Sequence, residues 1–163
     1  NTAGIYIANK LQNEGQVVEL LGILSSSPAL ERMNGFNNAI DKFPKIDNVY
    51  EIHAKWNNEL VTDSLSVVLK KYPSVKAIFS HTDFMAEAAS KVVRENFSDR
   101  DILIVGVDGL PNDGGGIELV KQGNISATLM YPTGGKEAIQ TAAKILHNQK
   151  FKKNNCTTFF WFY

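Results

Sequence analysis

The chain has 163 residues with 17 Lys plus Arg against 17 Asp plus Glu, a formal net charge of +0 and a single cysteine. That length suits one domain with a real core and is short for a two-lobed enzyme. Balanced charge without a basic block excludes an electrostatic footprint for nucleic acid or an anionic membrane, and Cys156 alone excludes an internal disulfide framework and a CxxC site.

No apolar run approaches the roughly 18 residues of a membrane span. The chain begins at Asn1 rather than Met, so it is expected to be a piece of a longer protein, with any targeting or membrane segment outside it.

Apolar periodicity then alternates between two kinds of segment. Ala3 to Leu11 reads as helix, and "QVVELLGI", Gln16 to Ile23, as a buried strand ended by "LSSSP". Ser27 before Pro28 resembles an N-cap with proline at the first helical position, which predicts a helix from Pro28 to about Lys42. "NVYEIHA" is the next strand, Leu60 to Tyr72 a helix stopped by Pro73, "KAIFS" a strand, and Asp83 to Asn96 a helix. "ILIVGVD" is a strand, and a short helix around Ile117 to Gln122 closes at Gly123. Strand "ISATLMY" and a helix from Gly135 to His147 complete the order. Strands apolar on both faces between helices predict a parallel sheet covered on both sides, a doubly wound α/β lobe. The aromatic run Thr157 to Tyr163 reads as a strand that leaves to pair with something absent.

In such sheets ligands sit beyond the carboxyl ends of the strands. Those ends carry Arg32, Trp56, Thr82, Asp83, Asp108 and Tyr131. Carboxylates accept from hydroxyls, a guanidinium donates as a fork, and an aromatic face covers the C–H side of a ring, so the set suits a polyhydroxylated ligand. Asp108 ends the run Ile-Leu-Ile-Val-Gly-Val at the rim of the core, where a carboxylate needs a partner. Trp56 is equally well read as a packing residue and Arg32 as a solvated one.

Other chemistry fits less well. The loop "GVDGLPNDGGG" has neither GxxxxGK[ST] nor GxGxxG order, and an acid at the strand end repels phosphate. The alternative for Gly114 to Gly116 is a mobile surface loop. There is no GxSxG elbow and no HExxH, and His53, His81 and His147 lack metal-ligand spacing, so neither metal nor cofactor is expected. His81 with Asp83 is the one acid–base couple to weigh, and it would make the chain a small α/β enzyme.

These residues resemble a known family. "VVELLGILSSSPALERMNGFNNAI", "KAIFSHTDFMAEAASKVV" and "ILIVGVDGLPNDGGGIELVKQGNISATLMYPTGGKEAIQTAAKIL" are similar, in order, to segments of ribose-type periplasmic sugar-binding proteins. The architecture also serves as the core of LacI-type repressors and as the sensor of hybrid two-component kinases, and "YPTGGKEAIQTAAKIL" looks most like the sensor version.

The resemblance implies one lobe, residues 1–156, of a non-catalytic periplasmic module that closes on a small neutral sugar. Residues 157–163 would be a crossing toward a missing second lobe, and surface left bare by that lobe would drive dimers. Residue by residue, it implies Arg32, Trp56, Thr82, Asp108 and Tyr131 as sugar contacts, with no direct contact to nucleic acid. Asp83 is then expected to cap the following helix. Thr82 and Tyr131 depart from the asparagine and glutamine of ribose binders, which leaves the sugar open. A cytoplasmic repressor core is the alternative setting.

Overall fold

Five strands and six helices alternate along the chain in the computed structural model, which describes residues 1–131 and 134–151. Strands β1 (Glu14–Leu21), β2 (Lys45–His53), β3 (Val75–Ser80), β4 (Leu103–Asp108) and β5 (Ala127–Met130) form one sheet in the order β2-β1-β3-β4-β5. Every neighbouring pair is parallel, so each connection must cross from one end of the sheet to the other, and the helices make those crossings.

Helices α1 (Thr2–Lys10) and α2 (Ser27–Ile40) cover one face, where Ile7, Phe36, Phe79 and Val105 pack together. On the opposite face α3 (Asn58–Lys71), α4 (Asp83–Asn96) and α5 (Gly116–Lys121) bury Leu65, Met85 and Leu119 against Leu20 and Ile78. With both faces covered, β1, β3 and β4 can be apolar on both sides, as their sequences are. This is the doubly wound lobe expected from the sequence. Chain order reverses between β1 and β3, so the segments leaving these strands part and open a crevice at their carboxyl ends.

Several boundaries differ from expectation, each for a local reason. Ser26, not Ser27, is the N-cap of α2; its hydroxyl donates to Ile23 O at 2.7 Å, and the helix ends at Ile40 rather than Lys42. β2 starts three residues before Asn48, because Lys45, Ile46 and Asp47 pair in register with Glu14, Gly15 and Gln16. α3 begins at Asn58 because Asn57 Oδ1 accepts from Glu59 N at 2.7 Å. The segment expected as a crossing strand, residues 157–163, and Cys156 lie outside the described residues.

The last helix, α6 (Gly135–Leu146), stands apart: none of its residues is buried. Ile139 is 73% exposed and Leu146 81%, although Ala138, Ile139, Ala142 and Leu146 share one side at helical spacing.

Candidate functional site

The site is built around one guanidinium. Arg32 projects from the second turn of α2 at the carboxyl edge of the sheet. One terminal nitrogen donates to the backbone carbonyl of His81, just beyond β3, and the other donates to Asp108 Oδ1 at 3.2 Å. Aromatic rings flank the cation: its central carbon lies 4.9 Å from the Tyr131 ring centroid and 5.8 Å from that of Trp56. Four of the five residues expected at the site therefore meet through Arg32. The Arg32 and Asp108 side chains are 13% and 29% exposed, so the ion pair is shielded yet reachable from the cleft.

Asp108 and Trp56 hold backbone conformations that non-glycine residues seldom adopt. Asp108 has φ 126°, and Lys55 and Trp56 have φ 54° and 64°. Strain of this kind costs on the order of 1–3 kcal/mol per residue and persists where the surroundings over-determine it. At Trp56 the surroundings include Gly22, at the end of β1: a Cβ there would lie 2.1 Å from the indole ring. Only glycine at this position lets the indole lie across the strand end. Burial holds the Asp108 carboxyl above its ordinary range, opposed by the charge and hydrogen bond of Arg32.

The fifth expected residue, Thr82, has a structural duty. It is the N-cap of α4, and its Oγ1 accepts from Met85 N at 3.2 Å. This corrects the expectation that Asp83 caps that helix. Asp83 is 3% exposed and turns inward, where it accepts from Gly109 N at 2.8 Å and from the Thr128 hydroxyl at 2.7 Å. It thereby ties β5 and the loop after Asp108 to the start of α4. Gly106 and Gly116 leave room for it, since a Cβ on either would lie within 2.2 Å of its oxygens. Burial pushes the Asp83 carboxyl up to about 6, against the hydrogen bonds from Thr128 and Gly109.

His81 and Asp83 do not form the acid–base couple weighed from sequence, because each is held by other groups. His81 Nε2 lies 2.8 Å from Glu19 Oε1, and Gly22 N donates to its Nδ1 at 3.2 Å. Burial pushes the imidazole down to about 3, with Arg32 adding to the effect. Glu19 and Gly22 went unread in the sequence. The signal for Glu19 was present: an acid inside the run Val17 to Leu21, on a strand buried on both faces, must have a buried partner. No cluster of His, Cys, Asp and Glu among the described residues could hold a metal ion.

Beside Arg32 and Tyr131 runs a groove of about 290 Å³, lined also by Pro28, Phe36, Leu129 and Met130. A polar fork between two aromatic rings, next to an apolar groove, can orient a small ligand that has both hydroxyl edges and C–H faces.

Comparison with known proteins agrees with this geometry. The sequence profile of a family described as "periplasmic binding protein domain" matches residues 1–150. The ribose import binding protein of Bacillus subtilis (strain 168) is 32% identical over 93% of this chain and 48% of its own length. That of Haemophilus influenzae is 35% identical over 91% and 49%. Among solved structures, the fructose binding periplasmic domain of a hybrid two component system superposes with a TM-score of 0.90 at 34% identity, over 97% of this chain and 53% of that one. A periplasmic solute binding protein from Actinobacillus succinogenes 130z with bound D-allose superposes with a TM-score of 0.83 at 27% identity, over 93% and 53%. The chain spans about half the length of the curated relatives it matches. It belongs to the periplasmic binding protein domain family, as a non-catalytic binding lobe of periplasmic location.

Proposed function

We propose that this chain is one lobe of a two-lobed sugar receptor, that Arg32, Trp56, Thr82, Asp108 and Tyr131 face the sugar, and that the module is the sensor of a two-component signalling protein. The observation that carries the reading is the Arg32 fork, fixed by His81 O and Asp108 and flanked by Trp56 and Tyr131. A carboxylate and a guanidinium at hydrogen-bonding distance give a sugar hydroxyl both an acceptor and a donor. The indole and phenol supply apolar faces for the ring carbons. The relatives are named as binding ribose or fructose or are seen with bound D-allose, which supports the ligand class. The fructose binding periplasmic domain of a hybrid two component system is similar over nearly the whole chain, which supports the signalling role.

What this lobe leaves uncovered supports the second lobe. The site is a floor without a roof, and α6 presents an apolar stripe that buries nothing. A sugar bridging two lobes binds the closed arrangement better than the open one, and that difference in affinity drives closure. In a sensor, closure changes the spacing of the segments that lead to the kinase.

The test is a thermal-shift screen of the complete two-lobed protein against D-ribose, D-fructose, D-allose, D-apiose and neutral disaccharides. A cognate sugar at 100 times its dissociation constant adds about 2.7 kcal/mol, a plainly raised midpoint. One sugar standing out is the expected result. A folded protein silent to the whole panel would overturn the reading.

A further inference from the structure

Beneath the floor of the site lies a polar cluster that touches no sugar in the reading above. Glu19 and His81 are both fully buried. The Gly22 amide can only donate, and it donates to His81 Nδ1 at 3.2 Å, so that nitrogen carries no proton. The ring's proton therefore sits on Nε2, which donates to Glu19 Oε1 at 2.8 Å. Asn48 Nδ2 donates to the other carboxyl oxygen at 3.1 Å. Such a cluster is costly to bury, and an apolar pair of similar shape would fill a strand core with less desolvation.

The position of the ring shows what the cluster can do. His81 is the first residue after β3. Its own N–H donates to Leu20 O at 3.0 Å, and its carbonyl is the acceptor on which Arg32 docks. The imidazole centroid lies 6.2 Å from that of Trp56 and 5.4 Å from that of Phe79. One residue, clamped at both ring nitrogens, thus adjoins the acceptor of the Arg32 fork and the indole.

We propose that His81 is a positioning residue of the sugar site: Glu19 and Gly22 fix its ring, and the ring fixes the carbonyl that aims Arg32 and the surface against which Trp56 rests. This rests on the reading of Arg32 and Trp56 as sugar contacts. A histidine that merely packs and satisfies the core would influence stability and leave the affinity for sugar unchanged.

The two roles separate in a pair of variants of the complete two-lobed protein. His81→Phe keeps a ring beside Trp56 and Phe79 and loses both hydrogen bonds. His81→Gln keeps an acceptor for Gly22 N–H and a donor for Glu19. The probe is whichever of D-ribose, D-fructose, D-allose or D-apiose gives the wild type its largest thermal shift, titrated by calorimetry. His81→Phe should stay folded and weaken the dissociation constant by about tenfold or more, and His81→Gln should remain within about threefold of wild type. A folded His81→Phe that binds like wild type overturns the proposal, as does a His81→Gln that falls as far as His81→Phe. Should His81→Phe not fold, the wild type decides by nitrogen-15 NMR. The His81 imidazole, identified by the loss of its signals in His81→Gln, should hold its proton on Nε2, and its nitrogen-15 shifts should change on saturation with sugar; shifts untouched by sugar, or a proton on Nδ1, overturn the proposal. A wild type that binds no sugar overturns the receptor reading itself, an outcome distinct from any of these.

Discussion

Asp108 combines a backbone angle that disfavours any side chain with a carboxylate that pairs Arg32. The combination separates stability from binding. Asp108→Ala keeps the strained angle and loses the ion pair, whereas Asp108→Gly loses the pair and relieves the angle. In urea unfolding without ligand, the glycine variant should be the more stable of the two by about 1 kcal/mol. Both should bind sugar about a hundredfold more weakly than wild type or not at all, since a charged hydrogen-bonding partner is gone. An Asp108→Ala protein that binds normally would show that the cleft lies elsewhere. Asp108 and Arg32 were legible in the sequence because one ends an apolar run and the other follows a strand-end loop. Their convergence, with Trp56 and Tyr131, needed the strand order. The contact of Gly22 with Trp56 was not legible, because it depends on the backbone turning through positive φ at Lys55 and Trp56.

At the scale of elements, three buried ionisable groups join neighbouring elements, and their signs contribute to the pH profile. Asp83 links α4 to β5 and the loop after β4, and its carboxyl is raised from 3.8 to about 6. Thr128 and Gly109 donate to it, and the charges of Asp108 and Arg32 face it with opposite effects. Glu19 stands between β2 and β3, raised from 4.5 to about 8 by burial and by Glu51, its register partner on β2, while Asn48 opposes. His81, facing Glu19 and Arg32, is lowered from 6.5 to about 3. A raised carboxyl makes the folded state bind the proton more tightly, so Glu19 and Asp83 favour folding on the acid side and weaken it as pH rises through their windows. The depressed histidine has the opposite sign and weakens folding as pH falls below 6.5. Between about 6.5 and 8 only Glu19 acts among the three, and its contribution falls with rising pH, opposed by the Asn1 α-amino group, which burial lowers from 8.0. Between about 4.5 and 6 the two carboxyls outweigh the histidine, so wild-type stability should still fall as pH rises, by about 2 kcal/mol. Asp83→Asn leaves Glu19 and His81 cancelling there. Its urea-unfolding profile should fall less steeply than that of wild type from about pH 4.5 to 6 and run parallel to it toward pH 8; an unchanged slope below pH 6 would remove Asp83 from this role. The helices and strands themselves were legible from apolar period. The exchange of duties between Thr82 and Asp83 was not. Both are short acceptors at a strand–helix junction, and the Gly109 amide and Thr128 hydroxyl, distant in sequence, decide which one turns inward.

At the scale of the whole molecule, α6 is the helix that this lobe leaves without a buried residue. A helix with Ile139 and Leu146 exposed at 73% and 81% does not gain its stability from this lobe, and propensity alone leaves a 12-residue helix marginal in water. Ala138, Ile139, Ala142 and Leu146 form a stripe of the kind that a second sheet or helix layer covers. The relatives are about twice as long, which leaves room for such a layer. If α6 belongs physically to a second lobe, its stripe is buried there rather than against this sheet. The double substitution Ile139→Lys, Leu146→Lys discriminates. In the complete protein it should cost about 3–6 kcal/mol, the sum of two large apolar side chains denied burial, and the loss should appear in urea unfolding. In a fragment ending at residue 151 the same change should leave stability nearly untouched and suppress self-association in sedimentation, because there the stripe faces only water or a second copy. Equal small effects in both proteins would mean that α6 lies uncovered in the complete protein as well, and a second lobe as proposed would then meet this one at the rim of the candidate site.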